Sequence, residues 1–242
     1  MKRWLPVYAG FVGVLVLVDL YLALIWSPPE KTMGNLVRIM YFHVSSAWIA
    51  FLAIGVTFVC TVLYLFTRNL RFDRIAVSSA ELGLFYTSIT LVTGSLWARP
   101  IWNTWWTWDP RLTTTLILWF LYLGYLLLRG TMEGVERRAR ISGIYAIIAS
   151  IDVPIIHMSV TWWRSIHPNV INESGFNMPG PMVVALMFGF FTFFCIYVLL
   201  LVLRVRLESQ RARLYALREQ VRDIRAQEVP GAVSLQPGKS HS

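Results

Sequence analysis

The chain has 242 residues, of which 56% are hydrophobic and only 14% are charged. A soluble globular domain carries about a quarter charged residues, so this composition argues against a soluble enzyme and a disordered chain. The two cysteines lie far apart in apolar segments, which argues against a disulfide scaffold, a thiol redox motif and a cysteine zinc site. The net charge of +9 does not indicate nucleic-acid binding here, because the basic residues flank apolar segments.

Six apolar segments are long enough to cross a hydrocarbon core of about 30 Å as helices. In chain order they are 5–26, 47–66, 75–97, 112–128, 141–160 and 182–203. Backbone polar groups in lipid must pair within the segment, which favours helices. The first segment is too long for a signal-peptide core, and no small-residue cleavage site follows it. We therefore predict an all-α integral membrane protein with six transmembrane helices.

The basic residues predict the orientation of these spans. Seventeen of the 22 lysines and arginines fall on the side that carries both termini, and five fall on the other side. Cytoplasmic segments are enriched in basic residues, so both termini are expected to be cytoplasmic. The segments 27–46, 97–111 and 161–181 then face outward.

Three parts of the chain are distinguished by composition. Residues 1–203 are predicted to form the six-helix transmembrane domain, and 204–228 a cytoplasmic basic helical tail whose arginines can contact anionic lipid. Residues 229–242 contain Pro, Gly and Ser and are predicted to be disordered. No P-loop motif is present, so an ATPase site is not expected.

Tryptophan is concentrated between the third and fourth spans, in the sequence WARPIWNTWWTWD. Five of the eleven tryptophans lie here: Trp97, Trp102, Trp105, Trp106 and Trp108. Interfacial anchoring is one explanation for them, and an aromatic surface for a large flat ligand is the other. A short helix over 101–108 would place Trp102, Trp105 and Trp106 on one face.

Charged residues flank this tryptophan-rich segment. Asp109 precedes Pro110, a pair typical of a helix N-cap followed by the first helical residue. Arg99 and Arg111 offer guanidinium groups to anionic parts of a ligand, with lipid headgroups as the alternative.

Two histidines lie near the predicted outer surface. His43 is at the outer end of span two, and His167 is in the outer segment after span five. Neutral imidazole is the commonest metal ligand in proteins. Two axial histidines, an apolar macrocycle on tryptophan and arginines for the propionates together describe a heme site. His157, within span five, is the alternative second ligand.

Three acidic residues lie inside apolar segments: Asp19, Glu81 and Asp152. Acids in a span usually face the bundle interior, but the sequence assigns these no function. The Asp152-Val153-Pro154 sequence predicts a kink in span five.

Three motifs resemble one family. WNTWWTWDPRLT resembles the tryptophan-rich WWD motif of heme-handling membrane proteins of cytochrome c maturation, and RIMYFHVSSAW and DVPIIHMSVTWWRSIHP resemble that family's two histidine motifs. The length and six spans are similar to its short branch, heme exporter protein C (CcmC). Asn103 stands where the WWD motif usually has glycine; it tolerates positive φ better than most residues.

The resemblance implies that the chain binds heme b at the periplasmic face of the bacterial inner membrane, with His43 and His167 as loop-borne axial ligands. It implies that the tryptophan-rich loop, with Arg99, Asp109 and Arg111 among its heme-binding residues, holds heme and presents it to a periplasmic heme chaperone. The implied partners are the ATPase and permease subunits of an ABC transporter and a small single-span accessory subunit. The chain would be a delivery subunit and not an enzyme.

Three other functions remain open from the residues. The first is a permease subunit of an ABC-type exporter for another substrate. A membrane cytochrome b and an assembly scaffold without a ligand are the others. A Soret band in the visible spectrum of purified protein would favour the heme-binding functions.

Overall fold

Six helical segments in the computed structural model are long and apolar enough to cross a membrane. They are Trp4–Trp26, Asn35–Thr67, Leu70–Trp102, Pro110–Thr131, Val135–Trp162 and Gly180–Arg225. The structure describes residues 4–163, 165, 167, 171–172, 175–176 and 178–228. The predicted helical fold with six spans agrees with it, and the chain is a multi-pass membrane protein.

Seven α-helices are present in these described residues. They are α1 (Trp4–Tyr21), α2 (Arg38–Thr67), α3 (Leu70–Trp102), α4 (Pro110–Thr131), α5 (Val135–Ser150), α6 (Asp152–Trp162) and α7 (Gly180–Glu228). A π-helical turn, Leu22–Trp26, extends α1, and a 3₁₀ turn, Asn35–Val37, precedes α2. Between α6 and α7, β1 (Ile171–Asn172) and β2 (Gly175–Phe176) form an antiparallel hairpin.

The second span begins earlier than hydropathy predicts, at Arg38 instead of Ala47. The extra turns carry polar side chains that are buried between helices rather than placed in lipid; Ser46, for example, donates to the carbonyl of His43 at 2.8 Å. His43 therefore lies inside a helix. The expectation that it belongs to a loop is wrong, because a hydropathy window excludes polar residues that other helices cover.

Span five is interrupted at the point where the sequence predicts a kink. The span divides into α5, which ends at Ser150, and α6, which begins at Asp152. Pro154 has no N–H to donate to the preceding helical turn, so continuous helical bonding is interrupted here. The break lies just before the helix that carries His157.

Helices α2 and α3 pack closely along the centre of the bundle. Ala53 and Ala80 are fully buried between the helices, and a Cβ added at Gly83 would lie 3.3 Å from Ile54 Cγ1. Ser79 donates its hydroxyl to the carbonyl of Ala53 at 2.7 Å. Small residues and interhelical hydrogen bonds of this kind hold helices together in lipid, where the hydrophobic effect does not drive helices to associate.

Two ion pairs connect α3 to further helices, one to α4 and one to α7. Arg129 on α4 donates to both carboxylate oxygens of Asp73 on α3, at 2.7 and 2.9 Å, with both side chains buried. Arg204 on α7 pairs with Glu81 on α3, with its Nε 2.6 Å from the carboxylate. Glu81 therefore has a packing partner on another helix. Asp73 lies near the start of α3, at the opposite end of that helix from the tryptophan-rich segment.

Helix α7 passes position 203 without a break and continues to Glu228. The proposed boundary between membrane domain and tail therefore falls within a continuous helix and stays a prediction. The predicted disorder of 229–242 concerns residues outside the described part of the chain.

Candidate functional site

A cavity of about 630 Å³ lies between α2, α3, α4 and α6, beside the tryptophan-rich segment. Its walls are mostly aliphatic and aromatic, with polar groups at a few points. The predicted site residues that line it are His43, Trp97, Trp102, Trp106, Arg111 and His167, and His157 lines it as well. A largely apolar cavity with a few polar groups and a volume of about 300–1,000 Å³ is typical of a small-molecule site.

His43 projects from α2 and is fixed by neighbouring side chains. Its ring packs edge-on against Trp97, with the ring centroids 5.9 Å apart. Its Nδ1 lies 3.1 Å from Thr93 Oγ1. The residue is only 8% exposed, so the helices around it define the orientation of the ring.

The hydroxyl of Thr93 favours one tautomer of His43. A hydroxyl has one proton to donate, and Thr93 donates it to the backbone carbonyl of Ile89 at 2.7 Å. With its proton on that carbonyl, Thr93 Oγ1 accepts a hydrogen bond from Nδ1–H of His43. The neutral imidazole then keeps its lone pair on Nε2, the atom required for a metal bond. In the sequence Thr93 looks like an ordinary helical threonine, and no motif marks it.

Gly94, the next residue on α3, provides the space for this ring. A Cβ at Gly94 would lie 3.0 Å from Cε1 of His43 and 3.5 Å from Nδ1. Any larger residue would therefore displace the imidazole. Gly94 is not distinguished in the sequence either, because a single glycine in an apolar segment has many explanations.

His167 approaches His43 from the segment that follows α6. Their ring centroids are 6.3 Å apart, and the ring planes are inclined by 33°. Two imidazoles that bind one metal ion from opposite sides, each with a bond of about 2 Å, have ring centres roughly 6 Å apart. The spacing therefore matches that of two ligands of one metal.

No three His, Cys, Asp or Glu side chains converge on a metal site within the described residues. A pair of histidines alone suits a metal that brings its remaining ligands, as heme iron does.

A short chain of hydrogen bonds connects His167 to the start of α4. The backbone N–H of His167 donates to Ser165 Oγ at 3.1 Å, and Ser165 donates to Asp109 Oδ1 at 3.0 Å. Asp109 Oδ1 also accepts the backbone N–H of Arg111 at 2.9 Å, so the predicted N-cap of α4 is confirmed. Asp109 thus joins α4 to the His167 segment without lining the cavity.

Arg111 contacts the second histidine directly. Its Nη1 lies 3.4 Å from Nδ1 of His167, at the long end of hydrogen-bonding distance. Its Nε is buried and has no hydrogen-bond partner among the described residues. The same holds for the indole nitrogens of Trp97 and Trp106. Buried donors without partners are uncommon, and these three belong to cavity-lining residues, where a ligand with acceptor atoms would satisfy them.

The tryptophan-rich segment divides into two groups. Trp97, Trp102 and Trp106 line the cavity, whereas Trp105 and Trp108 are 57% and 77% exposed. Helix α3 ends at Trp102, so the short helix over 101–108 does not form, and the three tryptophans expected on one helical face do not share it.

The turn after α3 depends on Asn103, which has φ +55° and occupies the left-handed C-cap position. Arg99 donates to the Asn103 side chain and lies over the ring of Trp105 at 5.9 Å. Arg99 does not line the cavity. The structure therefore separates it from Arg111, with which the sequence grouped it.

A second loop contributes to the cavity from the α1–α2 connection. The exposed carboxylate of Glu30 accepts the backbone N–H groups of Thr32 and Met33, both at 2.7 Å. These bonds lower the pKa of Glu30. They hold the turn that brings Met33 to the cavity wall.

Comparison with known proteins adds an independent observation. The sequence profile of the family described as heme exporter protein C matches residues 1–220. This chain belongs to the heme exporter protein C family.

Individual relatives agree with this assignment. The chain is 33% identical over 217 residues to heme exporter protein C of Bradyrhizobium diazoefficiens, covering 89% of this chain and 82% of the relative. It is 34% identical over 205 residues to that of Haemophilus influenzae, covering 84% and 83%. With the Escherichia coli K12 protein it shares 34% identity over 165 residues, covering 66% and 67%.

Proposed function

We propose that this chain binds heme b at the periplasmic face of a bacterial inner membrane and delivers it to a periplasmic heme chaperone during cytochrome c maturation. The observation that carries the proposal is the pair of imidazoles, His43 and His167, whose rings lie 6.3 Å apart at the cavity. The family of the chain, whose relatives are named heme exporter protein C, supports the same ligand.

The residues around the cavity fit heme in three respects. His43 and His167 would hold the heme iron through ring nitrogens, and Trp97, Trp102 and Trp106 would supply apolar surface for the macrocycle. Arg111 has an unpaired buried Nε that suits a propionate carboxylate. When bound, heme supplies the metal and the group to be delivered, and this chain supplies ligands, orientation and exclusion of water.

Holding and delivering heme are assigned to different residues. Trp105, Trp108 and Arg99 lie outside the cavity lining, and both tryptophans are exposed beside it. We assign them to the docking surface for the heme chaperone, since exposed aromatic residues are frequent binding hot spots. Asp109 positions His167 and Arg111 and has no direct contact with heme in this scheme.

The remaining partners follow the family resemblance. An ABC transporter with ATPase and permease subunits and a small single-span accessory subunit would complete the complex. Both termini would be cytoplasmic and the tryptophan-rich loop periplasmic, in agreement with the distribution of basic residues.

The first test is the visible spectrum of detergent-purified protein after expression with ample heme. We expect a Soret band and a heme-to-protein ratio near one. A permease for another substrate would show no chromophore. Absence of the band after reconstitution with hemin would contradict the proposal.

A second test separates holding from delivery. Trp105→Ala and Trp108→Ala should leave heme content unchanged and reduce co-purification of the chaperone, whereas Trp106→Ala should lower heme content. If Trp105→Ala and Trp108→Ala retain the chaperone normally, the assignment of the docking surface is wrong.

A further inference from the structure

The part of α7 beyond Arg204 carries an apolar stripe that the described bundle leaves uncovered. Its members repeat at heptad positions a and d: Leu207, Leu214, Leu217, Val221 and Ile224. Each of them is exposed, between 39% and 56%. Among the a and d positions from 207 to 224, only Gln210 is polar. Apolar residues at a and d over three heptads are the pattern with which a helix packs against another helix.

Charges on this part of α7 are arranged about the stripe. The e positions beside it are all arginine, at Arg211, Arg218 and Arg225, and one g position is Arg213. The acidic residues Glu208, Glu219 and Asp223 occupy b, f and c, away from the stripe, and Glu208 pairs with Arg211 at 3.0 Å. The stripe is therefore bordered by positive charge and contains no acidic residue along its edges.

This arrangement opposes pairing of two copies of the same stripe. In a parallel pair the e positions of one helix face the g positions of the other, so Arg218 would meet Arg213. In an antiparallel pair the e positions face each other, which again brings arginine to arginine. Like charges at these positions decrease association.

A membrane surface fits the stripe poorly as well. An interfacial helix lies in the plane of the bilayer, whereas this segment continues the last spanning helix, and α7 has no break up to Glu228. At 1.5 Å per residue, Leu214 and Ile224 lie about 15 and 30 Å beyond Arg204. Attraction to anionic lipid falls off within about 8 Å at physiological salt, so with the membrane surface at the predicted boundary beside Arg204, only the first arginines of the segment lie within its reach.

We propose that this stripe is a docking surface for a helix of a partner protein, with an apolar seam of its own and acidic residues at the flanking e and g positions. Apolar a and d residues would provide the packing, and the pairing of arginine with carboxylate would select the partner and its register. The proposal does not depend on heme binding.

The test uses full-length protein in nanodiscs of phosphatidylcholine and two synthetic three-heptad peptides. Both peptides have leucine at a and d; one has glutamate at e and g, and the other has lysine. We expect the glutamate peptide to bind at least about tenfold more tightly than the lysine peptide. Equal binding of the two peptides, or no binding of the glutamate peptide, would overturn the proposal.

Two variants provide controls. Combined Arg211→Glu, Arg218→Glu and Arg225→Glu should reverse the preference between the peptides, and combined Leu214→Ser, Leu217→Ser and Val221→Ser should abolish binding of both. Circular dichroism checks that each variant keeps its helical content. A charge-reversed helix that still prefers the glutamate peptide would contradict the role of the arginines.

A nitroxide label at Gln210→Cys, on a background without the native cysteines, tests whether a membrane surface or a second copy of the chain covers the stripe instead. In our account the label stays accessible to water in nanodiscs with and without phosphatidylserine, and labels on separate copies remain far apart. Immersion in lipid when phosphatidylserine is present would assign the stripe to the membrane. Short label-to-label distances without peptide would assign it to a second copy, and either result overturns the proposal.

Discussion

The two histidines at the cavity are held in different ways. His43 lies in the interior of α2, against Trp97 and Gly94, with Nδ1 bonded to Thr93. His167 lies in the segment after α6, and its backbone is linked to α4 through Ser165. The first imidazole is fixed by packed helices, and the second by a small number of polar contacts.

The proposed function requires that heme be bound and then released, and this difference suits that requirement. A ligand held by helices keeps its position whether or not heme is present, since interiors are packed nearly without voids. A ligand on a connecting segment moves more easily, because loops have fewer packed contacts. In the proposed site His43 is therefore the constant ligand and His167 the ligand that exchanges during delivery.

Removal of His43 should have the largest effect. We expect His43→Ala to lower heme content at least about tenfold, because the packed helices hold its ring in a fixed position at the cavity. Imidazole added to the buffer should restore part of the spectrum by entering the space left between α2 and α3. His157→Phe is the matched control and should keep nearly all heme. Equal loss of heme in the two variants would show that His43 is no more important for heme binding than His157.

Gly94→Ala tests whether the helix packing itself positions His43. The added methyl group would lie 3.0 Å from Cε1 of the ring, and overpacking of this kind costs about 1–3 kcal/mol. We expect about tenfold weaker hemin binding in a titration. Gly55→Ala on α2 is the control, because a Cβ there meets nothing within 4 Å. If both variants bind hemin as well as the parent does, the contact has no influence.

Thr93→Val keeps the shape of the side chain and removes the acceptor for Nδ1–H. The loss of about 1 kcal/mol from one hydrogen bond predicts roughly fivefold weaker binding. Thr93→Ser should restore it. Thr87→Val on the same helix is the control, because Thr87 donates to the Gly83 carbonyl of its own helix at 2.8 Å. A shift in the pH dependence of binding confined to Thr93→Val would show that it acts on the imidazole.

Ser165→Ala should have the smallest effect on heme retention. The effect should come from weaker restraint of His167, with His43 unaffected. It removes one link between Asp109 and the His167 backbone, for which we expect a two- to threefold faster loss of heme to apomyoglobin. Ser209→Ala, which removes a hydroxyl bonded to the Val205 carbonyl of α7 at 2.7 Å, is the control. An unchanged rate in Ser165→Ala would show that the link does not restrain His167.

Long apolar segments and short fixed patterns were predictable from the sequence. The spans follow from hydrophobic length, and the Asp109-Pro110 cap and the kink at Pro154 follow from local backbone chemistry. These features depend on residues that are neighbours in the chain. The motif-based resemblance to heme exporter protein C also agrees with the family match over residues 1–220.

Features that depend on contacts between helices were not predictable in the same way. Thr93 and Gly94 become significant only because α3 packs beside His43, 50 residues away from Thr93 in the chain. The expected helix over 101–108 failed because α3 continues through Pro100 and turns at Asn103. Arg99 and Arg111 looked equivalent in sequence, and that turn directs only Arg111 to the cavity.

The most direct test of the central claim is the electron paramagnetic resonance spectrum of the ferric protein, with heme bound, in the parent and two variants. Two axial imidazoles predict a low-spin signal in the parent and in His157→Phe. In His167→Ala we expect a high-spin signal from heme that His43 still holds, with conversion to low spin on addition of imidazole. A low-spin signal that survives in His167→Ala and disappears in His157→Phe would contradict the account and place the second ligand on α6.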